Sequence, residues 1–272
     1  MSAAYLHERL LPENVFGHTK KVYRLRAAID ALRSVRGGGL RILDMGCGSG
    51  HAVTRFLARE GDQVIGVDIH APNIEYANLH YAGTGLRFIC RDVATLVADG
   101  ELFDVVVLAD VLEHLDTPAD ALALAVALTA SDGRVLISVP NGFGPFELES
   151  ALQRVPWLGR GLLTLTDLMV AVLNRTVCAG AWTRAAAVVP ADLPYNIDSG
   201  HVQFFLQSDM QRLIDAAGLR LLARENLSFL AGPYTNTVFS AWQGFCRWNA
   251  RVADHLPGWC ASAWLFVCTR AT

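Results

Sequence analysis

Lysine is almost missing from this chain. Lys20 and Lys21 are its only two in 272 residues, and every other basic side chain is arginine or histidine. Charge of either sign is scarce, at 18% of residues against 52% hydrophobic, which excludes a globally disordered chain and allows a buried core. The net charge of -3 gives no electrostatic reason to expect DNA or RNA as a partner. None of the six cysteines forms a C-x-x-C pair, so neither a zinc site nor a disulfide framework is expected, and a reducing, cytoplasmic compartment fits best. The opening "MSAAYLHERLLPENVF" has no apolar core of the signal-peptide kind. Apolar runs are interrupted: the longest, "WLGRGLLTLTDLMVAVLNR", carries Arg160 and Asp167 and is not expected to span a membrane. The one basic cluster, "HTKKVYRLR", reads as a solvated face.

What is present is a regular alternation from about residue 40 to 140. Apolar runs at "LRILDM", "QVIGVDI", "LRFICRD", "FDVVVLAD" and "RVLISVPN" read as strands. Helical stretches stand between them at "HAVTRFLARE", "APNIEYANLHYA" and "ADALALAVALTA", the last closed by "SDG". Continuous apolar strands between helices predict an α/β fold with a mostly parallel sheet covered on both faces. Residues 142–197 break the rhythm and are too long for an ordinary connection. They hold a helix candidate at 157–173. Order resumes at "SDMQRLIDAAGL", where Ser208 and Gln211 suggest a capping box and Gly218 a stop. "LRLLARENL" and "SAWLFVCTR" read as two more strands, with a helix near 237–255 between them. Four segments are expected: an N-terminal helical segment at 1–37, a core at 38–141, a helical cap insertion at 142–197, and the rest of the sheet at 198–272.

The stretch "LDMGCGSG" places Gly46, Gly48 and Gly50 at every second position behind Asp44. In an open parallel sheet, ligands bind outside the carboxyl ends of the strands. Glycines there permit a tight turn and close backbone approach, and a helix beginning near His51 would turn its N–H groups to the ligand. Asp68, ending the second strand, suits ribose hydroxyls, and Asp92, ending the third, stands where an adenine edge would lie. A dinucleotide enzyme shares the ribose acid, but its fingerprint is G-x-G-x-x-G. An acid so close to the glycines would repel a pyrophosphate and attract an ammonium group. Asp44 therefore suits an amino-acid end, and the whole suits S-adenosylmethionine (SAM).

"LDMGCGSG", "VIGVDI", "CRDV", "FDVVVLADVLEHL" and "GRVLISVPN" resemble the class I SAM-dependent methyltransferases in order and spacing. The resemblance covers roughly residues 38–141 and 199–227. It implies a Rossmann-like seven-stranded sheet of order 3-2-1-4-5-7-6 with the last strand antiparallel. It implies a cofactor site at Asp44, Gly46, Gly48, Gly50, Asp68, Ile69, Asp92, Val93 and Ala109. No N-P-P-Y or D-P-P-Y loop follows the fourth strand, which disfavours base-directed enzymes. No lysine follows Lys21, which disfavours the catechol type with its core lysine and magnesium. "LEHL", Leu112 to Leu115, looks like the ubiquinone-biosynthesis O-methyltransferases, although sugar and lipid methyltransferases carry it too.

His114 and His201, the latter in "DSGHVQFF", are the candidate catalytic bases; for each the alternative is to brace a loop. Glu113 reads as a solvated or helix-capping acid, and no metal ligand set is expected. The 142–197 segment, with Phe143, Phe146, Trp157, Trp182 and Tyr195, is expected to cover an apolar or lipid-linked acceptor, with peripheral membrane contact. The expected activity is methylation of a small molecule at oxygen. A sugar or glycolipid methyltransferase and a non-catalytic SAM-binding protein are the alternatives. The sequence carries no sign of an oligomeric state.

Overall fold

The computed structural model describes residues 18–176, 194, 200–239 and 242–271. Residues 1–17, one of the six cysteines (Cys178), Trp182 and Tyr195 lie outside the described residues. A seven-stranded sheet forms from β1 (Arg41–Met45), β2 (Gln63–Asp68), β3 (Leu86–Cys90), β4 (Phe103–Ala109), β5 (Thr129–Pro140), β6 (Leu219–Ser228) and β7 (Ala263–Arg270). Its order is β3-β2-β1-β4-β5-β7-β6, as expected. β1 pairs in parallel with β2 and β4, β2 with β3, and β4 with β5. β7 runs the other way: Asn141 N donates to Ser262 O near one end, and Arg270 donates to Thr129 O near the other.

The chain divides into two compact units. One comprises Val22–Val139, Leu193–Arg224 and Leu265–Thr272; the other comprises Met1–Lys21, Pro140–Asp192 and Glu225–Trp264. In the first, Ile42, Leu43, Val105, Val106, Val107, Leu108, Val135, Leu136 and Ile137 are fully buried. Each such side chain contributes about 1.5–3 kcal/mol. Two helices of this unit, α2 (Ala71–Tyr81) and α3 (Val93–Ala98), follow β2 and β3; α4 (Pro118–Leu128) precedes β5. A longer helix, α1 (His18–Arg36), leads into β1. Asp62, just before β2, accepts from Leu40 N at 2.9 Å and Arg59 N at 3.0 Å and pairs with Arg33 of α1, so one buried carboxylate aligns the entries to β1 and β2.

The second unit holds α5 (Pro145–Arg154) and α6 (Pro156–Thr176), the latter longer than the predicted 157–173. It also holds α8 (Pro233–Phe239) and α9 (Gln243–Ala253); α7 (Gln207–Ala216) belongs to the first unit. α6 packs against α5 and α8. Asn249 ties α9 to the end of β6 by accepting from Leu230 N at 2.7 Å and donating to Leu230 O at 2.8 Å.

Several expectations need correction. "HAVTRFLARE" forms only a 3-10 turn at Thr54–Phe56, because β-branched Val53 and Thr54 favour helix weakly and the Thr54 hydroxyl is engaged by Asp44 at 2.6 Å. "SDG" does not close α4 but lies inside β5, where a Cβ on Gly133 would stand 2.8 Å from Asp104 O; glycine lets the strands approach. The single helix near 237–255 is two helices, the first capped by Glu149, which accepts from Tyr234 N and Thr235 N. Asp209, not Ser208 with Gln211, caps α7: its carboxylate, the stronger acceptor, takes Leu206 N at 2.8 Å while Gln211 donates to Asp215. The window Pro156–Leu173 of α6 is, by length and composition alone, long and apolar enough to cross a membrane, since Arg160 and Asp167 are too few charges to bring it below that mark.

The basic cluster is also not a solvated face. Lys20 is 1% exposed, and Lys21 and Arg24 are buried. The Lys20 ammonium meets Asp254 at 2.7 Å and donates to Ala250 O at 2.8 Å. Ala250 O is one of the last carbonyls of α9, so a cation there satisfies a helix end and opposes its negative dipole. Lys20→Met should cost about 2–3 kcal/mol, less than the ~3–5 of a fully buried pair because the Asp254 side chain is 27% exposed. Urea denaturation followed by tryptophan fluorescence measures this; an unchanged midpoint would remove the structural role given to Lys20.

Candidate functional site

A cavity of about 710 Å³ opens at the carboxyl ends of β1, β2, β3 and β4. Met45, Gly46, Gly48, Asp68, Ile69, Asn73, Asp92, Val93, Asp110, Val111 and His114 are in its wall. All three glycines of the β1 loop have positive φ, 75° at Gly46, 53° at Gly48 and 67° at Gly50, which other residues rarely adopt. What surrounds them differs. A Cβ on Gly46 would stand 2.9 Å from the Val111 side chain, and one on Gly50 would stand 2.4 Å from the Phe88 ring. At Gly48 only Asn73 Nδ2 comes within 4 Å, at 3.9 Å, so this is the glycine whose open side faces the cavity.

The loop is pinned from β2. Gly46 N and Cys47 N both donate to Val67 O, at 2.8 and 3.0 Å. The Asp68 carboxylate accepts Gly48 N on one oxygen and His70 N on the other, each at 2.8 Å. Each oxygen retains a lone pair for a hydroxyl donor. Ile69 is 79% exposed, an apolar surface beside the acids of the kind a flat ring covers. Asp92 caps α3 by accepting Ala94 N at 2.9 Å with Oδ1. These features fit an adenosine: a cradle at Gly48, acceptors for a diol at Asp68, and an apolar face at Ile69. Cys47, inside the loop, has its thiol pushed up by burial and by the Asp44 and Asp68 carboxylates, so it stays protonated and inert.

Four expected site residues stand elsewhere. Asp44 is 2% exposed and lies behind the loop, bonded to Thr54, outside the cavity wall. Gly50 packs on Phe88 and is not in the cavity wall. Ala109 and His201 do not line the cavity. With no α-helix at His51, the loop presents its backbone through its own turns.

Several wall residues were missed, Asp110 and Asn73 among them. Asp110 is the one non-glycine residue with positive φ, 57°, among the described residues, and it accepts the Ser138 hydroxyl at 2.8 Å. Its position just past β4 was the available signal. Asn73, in the first turn of α2, had none. With Asp68, Asp92, Asp116 and Asp120, Asp110 makes five carboxylates in a wall that holds one arginine, Arg91. That sign suits a cationic ligand.

His114 ends the 3-10 turn Leu112–His114. Its Nδ1 stands 3.2 Å from Gly200 O, and a carbonyl oxygen can only accept, so Nδ1 carries the proton and Nε2 is the basic nitrogen. The His201 ring stands edge-on to it, centroids 5.0 Å apart. Glu113 is neither solvated nor a cap: it is 1% exposed, and its backbone carbonyl accepts Val202 N at 2.9 Å and Gln203 N at 3.0 Å. Those bonds bring the distant segment around His201 to the turn. Ligand atoms of Glu113, His114 and His201 all lie within 4.8 Å of one another, a set that could hold a metal ion and that sequence spacing did not reveal.

A family model described as "Methyltransferase domain" matches residues 16–224. The ubiquinone biosynthesis O-methyltransferase of Cereibacter sphaeroides is 36% identical over 126 residues, 46% of this chain and 50% of that protein. The chain thus spans about half the length of this relative. The enzyme of the same name from Stutzerimonas stutzeri is 28% identical over 188 residues, 65% of this chain and 77% of that protein. In three dimensions the chain is similar to a S-adenosylmethionine-dependent methyltransferase from Clostridium acetobutylicum, TM-score 0.52 at 11% identity, covering 92% of each chain. It is equally similar to the [4+2]-cyclase SpnF, TM-score 0.52 at 15% identity, covering 91% of this chain and 82% of the other. At such identities the likeness shows the fold alone.

The glycines make separable predictions. Gly50→Ala should destabilise the fold by about 1–3 kcal/mol through overpacking on Phe88. Gly48→Val should mainly abolish binding of S-adenosylhomocysteine, the demethylated form of SAM. Asp68→Ala should weaken that binding by about 1.5–3 kcal/mol for each charge-assisted bond lost. Thermal melts and titration calorimetry separate the cases; unchanged affinity in Asp68→Ala would sink the ribose assignment.

Proposed function

The chain belongs to the class I SAM-dependent methyltransferases, and from that premise we propose that it methylates an oxygen of a small acceptor, with His114 as general base. One observation carries the reading: a histidine in the cavity wall whose Nδ1 is committed to Gly200 O, leaving Nε2 to take a proton. When bound, SAM supplies an electrophilic methyl group on a sulfonium. Asp68 and Gly48 would hold its ribose and adjoining chain, Ile69 and Asp92 its adenine. The acidic wall favours its positive charge. His114 would accept the proton of an acceptor hydroxyl as the new bond forms, a contribution of about 10²–10⁴ in rate. Glu113 and His201 keep the turn and ring in place. The relatives named O-methyltransferases support oxygen as the acceptor atom.

An apolar or lipid-linked acceptor is supported by α6, which exposes Trp157, Leu165, Leu168, Met169 and Val172. An amphipathic helix of this kind suits the surface of a membrane, and peripheral contact belongs to the proposal. Acceptor selection is assigned to residues 142–197, because the chain enters them from the carboxyl end of β5.

Turnover is tested by S-adenosylhomocysteine release with a panel of phenols, sugars and lipid acceptors. Phenol or quinol turnover supports the reading; turnover of sugars alone, or none, overturns it. His114→Ala should lower kcat about 10²–10⁴-fold with cofactor affinity nearly unchanged. Trp157→Ala should raise the acceptor KM and leave cofactor affinity alone. The proposed base needs no metal, so EDTA should leave turnover intact. Loss restored by magnesium would give the role to an ion on Glu113, His114 and His201.

A further inference from the structure

Asn73 is 7% exposed in the first turn of α2. Its carboxamide offers two donors and an acceptor, yet makes no hydrogen bond among the described residues, and Oδ1 is buried without a partner. Buried polar atoms are nearly always paired, because losing water without a replacement is costly. An apolar side chain of the same size would serve the folded chain better there. The amide is therefore kept for something the polypeptide alone does not supply.

Its surroundings say what. Asn73 shares the cavity wall with Gly48 and Asp68, and its Nδ2 stands 3.9 Å from where a Gly48 Cβ would be. Asp68 can only accept, and each oxygen already takes one backbone N–H. A hydroxyl that donates to Asp68 still has lone pairs of its own, and they need a donor. Nδ2 is an unused donor in the same wall. A carboxylate that accepts and an amide that donates are the complementary pair for a vicinal diol.

We infer that Asn73 is a further cofactor-binding residue, whose amide donates to a ribose hydroxyl held by Asp68. The inference rests on the SAM reading of the cavity. It carries an unusual signature: the residue works against the free protein and for the complex.

The test uses Asn73→Ala and the near-isosteric Asn73→Leu, with S-adenosylhomocysteine and its 2′- and 3′-deoxyribose analogues as probes. Melting of the ligand-free Asn73→Leu variant should be unchanged or raised, because a buried carbonyl oxygen without a partner has been removed. Affinity for S-adenosylhomocysteine should fall about tenfold. For at least one deoxy analogue, wild type and variants should bind alike. Wild-type affinity in both variants would overturn the inference. So would an equal loss with every analogue, or a fall in the melting temperature of Asn73→Leu that tracks its loss in affinity. If the wild type itself fails to bind S-adenosylhomocysteine, the cofactor reading falls with it; binding by wild type and both variants alike removes the Asn73 assignment alone.

Discussion

The Asp68 carboxylate accepts one backbone N–H on each oxygen, from Gly48 and from His70, and the geometry of the site hangs on that pair. One bond fixes the glycine loop after β1; the other fixes the turn between β2 and α2. Because the acceptor ends β2, whose register with β1 is set by five residue pairs, the loop inherits the rigidity of the sheet. Charge-assisted bonds of this kind are shorter and stronger than neutral ones. They also leave the carboxylate aligned, with lone pairs to spare, before any ligand arrives. Preorganisation of this sort reduces the ordering cost of binding.

The sheet was legible because each central strand is buried on both faces and so reads as an unbroken apolar run. Ile42, Leu43 and Val105 to Leu108 announce themselves in this way. The acids and glycines at the strand ends were legible because a parallel sheet gathers its carboxyl ends at one edge. Local chemistry was harder to read. The segment after Gly50 has helical periodicity, but the competing bond from Thr54 to Asp44, ten residues back, exists only once the loop has folded against β1. The same holds for Lys20, whose partners Ala250 and Asp254 are more than two hundred residues away. A charged cluster beside the N-terminus reads as solvated until the helix end it neutralises is known.

Residue type predicted function best where the backbone conformation was the message. Gly46, Gly48 and Gly50 all adopt positive φ, and Gly46 and Gly48 both stand in the cavity wall, yet only at Gly48 would a side chain find open space; at the other two it would meet Val111 or Phe88. One motif thus mixes a position open to the cavity with positions closed by packing, and spacing alone does not sort them. Asp44 was assigned a ligand by charge and found buried behind the loop. Glu113 was read as a solvated or helix-capping acid and is found buried at the point where residues 202 and 203 dock. In both cases the burial is what sequence, which reports it only on average, did not display.

The five carboxylates around the cavity act on what leaves as well as on what enters. A wall of that sign attracts a sulfonium ion, and the charge that earns the attraction is consumed when the methyl group departs. The demethylated molecule keeps its shape and its hydrogen bonds but no longer feels the field in the same measure. The wall's electrostatics therefore favour the cationic form of such a ligand over the neutral one. That preference acts through space, so dissolved salt weakens it while leaving the contacts of Gly48 and Asp68 largely intact.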